Sequence, residues 1–223
     1  MKKKIVIVAG GMLEETFVLA MLHDPAVDCI VAVDRGLNFL YAHGIVPDVV
    51  VGDFDSVCTK VISYYKGFSQ IVFHPCDPIK DASDTEIAIN LCIRSMTADE
   101  ILEKQICILG ATGKRLDHFW ANVQVLKIAL DEGVDCRILD AHNQIRLLAG
   151  TTVLRKEETF GKYFSVFPLG KEVEQFYISG AKYPLVNHCL SAYSSRCTSN
   201  EFLEPIVEIS FPAGVVILME TKD

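Results

Sequence analysis

The feature that most constrains this chain is a series of short, wholly apolar runs spaced through its first ~140 residues. Ile5–Ala9, Cys29–Val33, Val49–Val51, Ile71–Phe73, Ile106–Leu109 and Cys136–Leu139 are strand-length and lack the polar alternation of a half-exposed strand. Between them lie apolar residues at helical spacing: Leu13, Phe17, Ala20 and Met21; then Ile87, Ala88, Leu91 and Cys92; then Phe119, Val123, Leu126 and Leu130. Gly133 stops the last of these helices. A strand with no polar face must be covered on both sides, and helices inserted between strands supply that cover. The expectation is an α/β N-terminal domain, residues 1–145, with a mostly parallel, helix-covered sheet. Ligand sites on such sheets lie beyond the carboxyl ends of the strands.

After Gly150 the pattern changes. Thr152–Leu154, Tyr163–Phe167, Val173–Ile178, Ile206–Phe211 and Val215–Met219 read as strands with no helices between them, separated by Gly, Pro and Ser turns. Residues 150–223 are therefore expected to form a small all-β sandwich or barrel. A unit of this size has little core of its own, so it should pack on the first domain or on a second copy of the chain.

Composition excludes several classes. Half of the residues are apolar, enough for a sizeable core, and no segment approaches the roughly 18 to 20 apolar residues that cross a bilayer. The Met-Lys-Lys-Lys start leads into a strand-length run followed by Gly10-Gly11 and the acidic Glu14-Glu15, which reads as a first strand rather than a leader. A formal charge of −8 argues against non-specific nucleic-acid binding. Of the eight cysteines, Cys29, Cys107 and Cys136 sit in apparent buried strands and none forms a Cys-x-x-Cys pair. Reduced thiols in a cytoplasmic protein are expected rather than a disulfide framework or a zinc site.

The polar residues gather at the expected strand ends. Val49-Val50-Val51 runs into Gly52-Asp53-Phe54-Asp55-Ser56, and residues two apart on an extended segment face the same way, so Asp53 and Asp55 are placed to share one hard cation. The alternative is an acidic turn capping the next helix. Asp34 follows the second strand, Lys80-Asp81-Ala82-Ser83-Asp84 the fourth, and Gly110 through His118 the fifth. Ser83-Asp84-Thr85-Glu86 fits a capping box, which makes Ser83 and Glu86 structural and leaves Asp84 within reach of a metal. Gly110-Ala111-Thr112-Gly113-Lys114-Arg115 lacks P-loop spacing, yet a glycine-bearing loop entering a helix offers N–H groups to phosphate, with Lys114 and Arg115 adding charge. Asp117 also fits an N-cap, and His118 a packing role. The charged stretch at Asp99-Glu100 reads as solvated surface. Ser191–Glu201 is polar and suited either to binding a small molecule or to an exposed hairpin loop.

These motifs together resemble the thiamine pyrophosphokinase family. The resemblance rests on Asp34-x-Gly36-x-Asn38, on Gly44-Ile45-x-Pro47-Asp48-x-x-Val51-Gly52-Asp53-Phe54-Asp55-Ser56, on Lys80-Asp81-x-x-Asp84, and on Gly110-Ala111-Thr112-Gly113-x-Arg115-Leu116-Asp117-His118-x-x-Ala121-Asn122. Gly180-x-Lys182-Tyr183-Pro184-Leu185 and Ser199-Asn200-Glu201 extend it over the second domain. Arg35 and Leu37 depart from the small residues usual after the first aspartate, and Ser83 from a usual threonine. The resemblance implies transfer of the terminal diphosphate of ATP to the hydroxyl of thiamine, giving thiamine diphosphate and AMP. It implies Mg²⁺ held by Asp53, Asp55 and Asp84, and a catalytic set of these three with Arg115 and Asp117. Asp34, Asn38, Lys80, Asp81, Gly110, Thr112 and Gly113 would bind the nucleotide side, and Tyr183, Ser199 and Asn200 the thiamine side, in a homodimer. A metal-dependent phosphohydrolase and a non-catalytic nucleotide sensor are the competing readings, because clustered aspartates at strand ends also suit water activation.

Overall fold

A computed structural model describes residues 2–77 and 81–223, so the expected phosphate contact Lys80 lies outside the described residues. The chain divides into two compact units, the first running to Ala141 and the second His142–Asp223.

The first unit contains β1 (Lys3–Val8), α1 (Glu15–Leu22), β2 (Val27–Val33), α2 (Gly36–Ala42), β3 (Val49–Gly52), α3 (Thr59–Tyr65), β4 (Val72–Pro75), α4 (Asp84–Ser95), α5 (Ala98–Glu103), β5 (Lys104–Leu109), α6 (Leu116–Asp131) and β6 (Asp135–Leu139). Its strands run in the order β6-β5-β1-β2-β3-β4, every pair parallel. Val6, Ile7 and Val8 on β1, Val50 and Val51 on β3, and Ile106, Ile108 and Leu109 on β5 are wholly buried, as strands with helices on both faces require. The chain proceeds from β1 to β4 in one direction, then returns past β1 to lay down β5 and β6 on its other side. The connections leaving β1 and β5 therefore diverge, which makes the ends of these two strands the topological switch point, the place where such sheets take ligands.

Local chemistry fixes the helices that frame this edge. The Ser83 hydroxyl accepts from Glu86 N at 3.2 Å and caps α4, which buries Ala88, Ile89 and Cys92. A complete capping box occurs instead at α5, where Thr97 and Glu100 bond each other's backbone reciprocally. Glu100 also meets Lys104 at 3.0 Å, so the stretch lies on the solvated surface as expected and in addition starts a capped helix. α6 buries Asn122, Val123, Leu126 and Ala129, a face turned slightly from the expected one. It ends in a Schellman motif: Gly133, at φ +73°, donates to Leu130 O and Val134 donates to Ala129 O. Leu13 lies ahead of α1, whose buried residues are Val18 and Leu22.

The second unit comprises β7 (Asn143–Leu148), β8 (Thr152–Arg155), β9 (Tyr163–Pro168), β10 (Val173–Ser179), β11 (Leu185–Leu190), β12 (Asn200–Glu201), β13 (Ile206–Ser210) and β14 (Val216–Thr221). They form two antiparallel arrays, β12-β9-β14-β7 and β11-β10-β13-β8. Phe164, Val166 and Leu218 from the first and Phe176, Ile178 and Val207 from the second belong to one buried cluster, making the unit a sandwich. The Phe176 and Phe211 rings stack within it at 5.6 Å. β7 and β11 were not expected as strands. On β7, Gln144 is buried because its amide donates to the Glu220 carboxylate on β14 at 2.7 Å. That carboxylate, 3 % exposed, also accepts from Thr159 Oγ1 and Phe160 N. All eight cysteines are free thiols. Burial pushes the Cys29 and Cys107 thiols up to about 11 and that of Cys92 up to about 12, which keeps them protonated and inert.

Candidate active site

At the carboxyl edge of the first unit, β2 and β3 deliver their aspartates side by side. Asp34 follows β2 with φ +46°, and its N–H donates to Val51 O at 3.2 Å. Gly52 ends β3 at φ +144°, and a Cβ there would lie 2.1 Å from Asp34 Oδ1. Only glycine leaves room for that carboxylate. Beyond it the chain turns rather than continuing extended: Phe54 has φ +63°, and Asp53 Oδ1 accepts from Asp55 N at 3.1 Å. The geometric premise that Asp53 and Asp55 face one way along a straight strand is thus replaced by a tight Asx-type turn, steadied by the Phe54 ring set edge-on to Phe73 at 6.3 Å. Asp55 is exposed and Asp53 half-buried. Asp84 is half-buried as the first residue of α4, and Asp81 is exposed. Asn38, on α2, carries a buried Oδ1 with no hydrogen-bond partner among the described residues. Leu37 beside it is wholly buried, so this departure from the family pattern fills the core, while Arg35 is exposed.

Among the described residues, one set of three potential ligand side chains comes within 4.8 Å, Glu172, Glu174 and Cys189 on the second unit. Asp53, Asp55 and Asp84 are not so drawn together. Their all-oxygen chemistry still suits a hard cation that takes one or two carboxylates and fills its remaining positions with phosphate oxygens and water.

Across the switch point, the loop after β5 packs backbone to backbone on the loop after β1. Gly11 N donates to Gly110 O at 2.9 Å and Met12 N to Thr112 O at 3.3 Å. A Cβ on Gly11 would lie 2.3 Å from Gly110 O, and one on Gly110, at φ +70°, 2.5 Å from Ala9 O. Both glycines are therefore demanded by the contact. α6 then starts with Arg115 at the N-cap position, not Asp117, and Arg115 supplies no side-chain cap. Its guanidinium instead closes on Asp117, Nε to Oδ1 at 3.2 Å and Nη2 to Oδ2 at 2.6 Å. This bond and the His118 N–H hold the Asp117 carboxyl below its ordinary range, and Asp117 in turn raises Arg115. Both side chains are largely exposed, so the pair exchanges partners at little cost.

In the second unit, Tyr183 and Asn200 are bound together. The Asn200 amide oxygen accepts from Tyr183 N and Glu201 N, both at 3.0 Å, and its Nδ2 donates to Tyr183 O at 2.9 Å. Asn200 is 3 % exposed and its amide is committed to backbone, so it reads as a scaffold for Tyr183. Tyr183 is 56 % exposed, with Lys182 Nζ 5.6 Å from its ring centroid. Lys182 also bonds Glu201 at 2.7 Å. Ser199, at φ +56°, is exposed and donates its N–H to Ser165 Oγ at 2.9 Å. Residues 195–198 form the turn in which Cys197 is buried. The sequence alone gives Gly10-Gly11 no site role and Asn122 only a place in the family motif; a glycine pair directly after the first strand is the signal it does carry.

A doubly wound parallel sheet with carboxylates and a glycine loop at its carboxyl edge is the build of an α/β protein that handles nucleotides or phosphates. Residues 25–138 match the family described as "Thiamin pyrophosphokinase, catalytic domain", and residues 151–216 match "Thiamin pyrophosphokinase, vitamin B1 binding domain". The thiamine pyrophosphokinase of Bacillus subtilis is 30 % identical over 197 residues, covering 86 % of this chain and 87 % of that protein. A crystal structure of thiamine pyrophosphokinase from the same organism superposes with a TM-score of 0.85 at 28 % identity, covering 99 % of this chain and 100 % of that one. One from Geobacillus thermodenitrificans gives 0.82 at 32 % identity, covering 99 % and 98 %. The chain belongs to the thiamine pyrophosphokinase family.

Proposed function

We infer that this chain is an ATP-dependent diphosphotransferase that converts thiamine to thiamine diphosphate. The thiamine hydroxyl oxygen bonds to the β-phosphorus of ATP, the bond from that phosphorus to the α,β-bridging oxygen breaks, AMP leaves with that oxygen, and the hydroxyl proton is released. The observation that carries the reading is the family match over both units, read with an amide-bearing loop and strand-end aspartates along one sheet edge. Little covalent chemistry is asked of the protein in such a transfer, and positioning and charge supply most of the rate.

In this reading Asp53, Asp55 and Asp84 hold Mg²⁺, which when bound neutralises charge on the phosphate oxygens. Asp34 and Asn38 border that acidic edge. The loop Gly110–Gly113 presents backbone N–H groups to the polyphosphate, and the family motif assigns Lys80 and Asp81 to the same ligand. Arg115 exchanges Asp117 for a phosphate oxygen, a step suited to its bidentate fork, and Asp117 then stands free near the reacting groups. Tyr183 offers an aromatic face to the cationic thiazolium, Ser199 a hydroxyl, and Asn200 the scaffold that fixes Tyr183. The active form is a homodimer in the cytoplasm. No helix among the described residues is long and apolar enough to cross a membrane.

Incubation with ATP, Mg²⁺ and thiamine tests the assignment. Stoichiometric AMP and thiamine diphosphate are expected. Phosphate release without thiamine, or ATP binding without turnover, would overturn it.

A further inference from the structure

Resting on that reading, we propose that Asn122 is a positioning residue that aims the Thr112 N–H at the polyphosphate of ATP. In a trans peptide, the carbonyl of one residue and the N–H of the next share a plane and point in opposite directions. Three consecutive planes of the loop after β5 are held by their carbonyls. Gly11 N–H takes Gly110 O, Asn122 Nδ2 takes Ala111 O at 3.1 Å, and Met12 N–H takes Thr112 O. In each plane the following N–H, of Ala111, Thr112 and Gly113, points opposite its tethered carbonyl. Among the described residues these three N–H groups donate to no acceptor. The result is a row of consecutive unpartnered donors, the kind of group from which backbone nests bind anions.

The tethers differ in kind. The outer two are backbone bonds from the loop after β1, and survive any side-chain change. The central one is a single side chain. Asn122 is 8 % exposed, one of a handful of buried polar residues, and stands on α6 a turn and a half beyond the loop it holds. Glycines at positive φ, Gly110 and Gly113, flank this pair, so the Ala111–Thr112 plane has conformationally permissive neighbours and little else to set its rotation. Without the amide, that plane is free to turn and the middle donor is lost, while the walls of the site stay in place.

The test is Asn122→Ala in the full-length protein, with ATP binding measured by calorimetry in Mg²⁺ buffer and steady-state kinetics run for both substrates. The expected result is ATP affinity about 10-fold weaker, the size of one charge-assisted hydrogen bond, with the KM for thiamine within about twofold of the parent. Asn122→Ser, too short to reach the Ala111 carbonyl, carries the test if the alanine variant does not fold, and the same loss is expected. A folded variant with unchanged ATP affinity would overturn the proposal. So would equal weakening of both substrates in step with a lower melting temperature, the mark of a merely structural residue. If the parent makes no thiamine diphosphate while the variant still loses ATP affinity, the functional reading fails and the role of Asn122 stands.

Discussion

In the parallel unit the polar side chains stand on loops beyond the strand ends, where Asp55, Arg115 and Asp117 are exposed and the last two are bonded to each other. In the antiparallel unit they are built into the sheet: Asn200 and Glu220, each 3 % exposed, spend their oxygens on groups of their own fold. A parallel sheet buries both faces and satisfies its backbone internally, so its loops are left to solvent and ligand. A small sandwich has few apolar residues to spare, and recruits polar groups as structural fasteners. Changes in the first set should therefore appear as lost rate with the fold intact, and changes in the second as lost stability.

The largest effect expected is from Asp55→Asn, an isosteric removal of one charge at an exposed turn. Transfer should fall on the order of 100- to 1000-fold with an unchanged melting curve, and near-parental turnover at saturating Mg²⁺ would take Asp55 out of the site. Asn200→Ala should do the reverse, lowering stability by about 1 to 2 kcal/mol in denaturant titration because it strands part-buried backbone groups of Tyr183 and Glu201. An unchanged midpoint would erase the contrast between the units. Arg115→Ala should reduce kcat/KM by roughly 10- to 100-fold, the scale of a lost charged hydrogen bond to phosphate, against less than about twofold for Asp99→Ala. Equal effects would reduce the Arg115–Asp117 fork to a surface pair. Tyr183→Ala is expected to raise the KM for thiamine between a few-fold and ~30-fold while leaving that for ATP alone, and its exposed ring means the melting temperature should barely move. A selective rise for ATP would place the ring elsewhere.

The smallest effect concerns acid. The Asp28 carboxyl is held below its usual range by hydrogen bonding to Lys104, and that of Asp24 by Lys4. A depressed carboxyl contributes stability that is fully present above its unfolded value of about 3.9 and is lost as pH falls through its folded value. Melting temperatures should hold steady from neutral pH to about 5 and drop below 4, with a shallower drop in Asp28→Asn. An identical drop in that variant would assign acid lability to other groups.

The parallel unit was legible because its strands are apolar throughout and its polar residues begin where the strands stop. Val49–Gly52 and Asp53 mark that boundary within a single residue step. The helix faces were less so: Ile89 is wholly buried in α4 and Asn122 in α6 is nearly so, where periodicity alone pointed to Leu91 and Phe119. β7 was missed because Gln144 and Arg146 look like loop residues until Glu220, far along the chain, pairs with them. β11 hides Asn187 and His188 in its middle, and β12 is two residues long. Strand-end aspartates declare themselves by type and place, whereas the turn at Phe54 and the clamp of Asn200 on Tyr183 are made by tertiary contacts that no local pattern encodes.

The three pinned peptide planes after β5 also have a consequence for mutational scanning. Their donors belong to the main chain, so truncating the Thr112 side chain leaves its N–H in place, and a scan that replaces side chains one at a time would pass over the loop as tolerant. The sensitivity is displaced to positions that touch no ligand. A methyl group at Gly110 collides with the Ala9 carbonyl, and one at Gly11 with that of Gly110. The sites where change is least tolerated would then outline the mould of the loop and leave its binding surface blank.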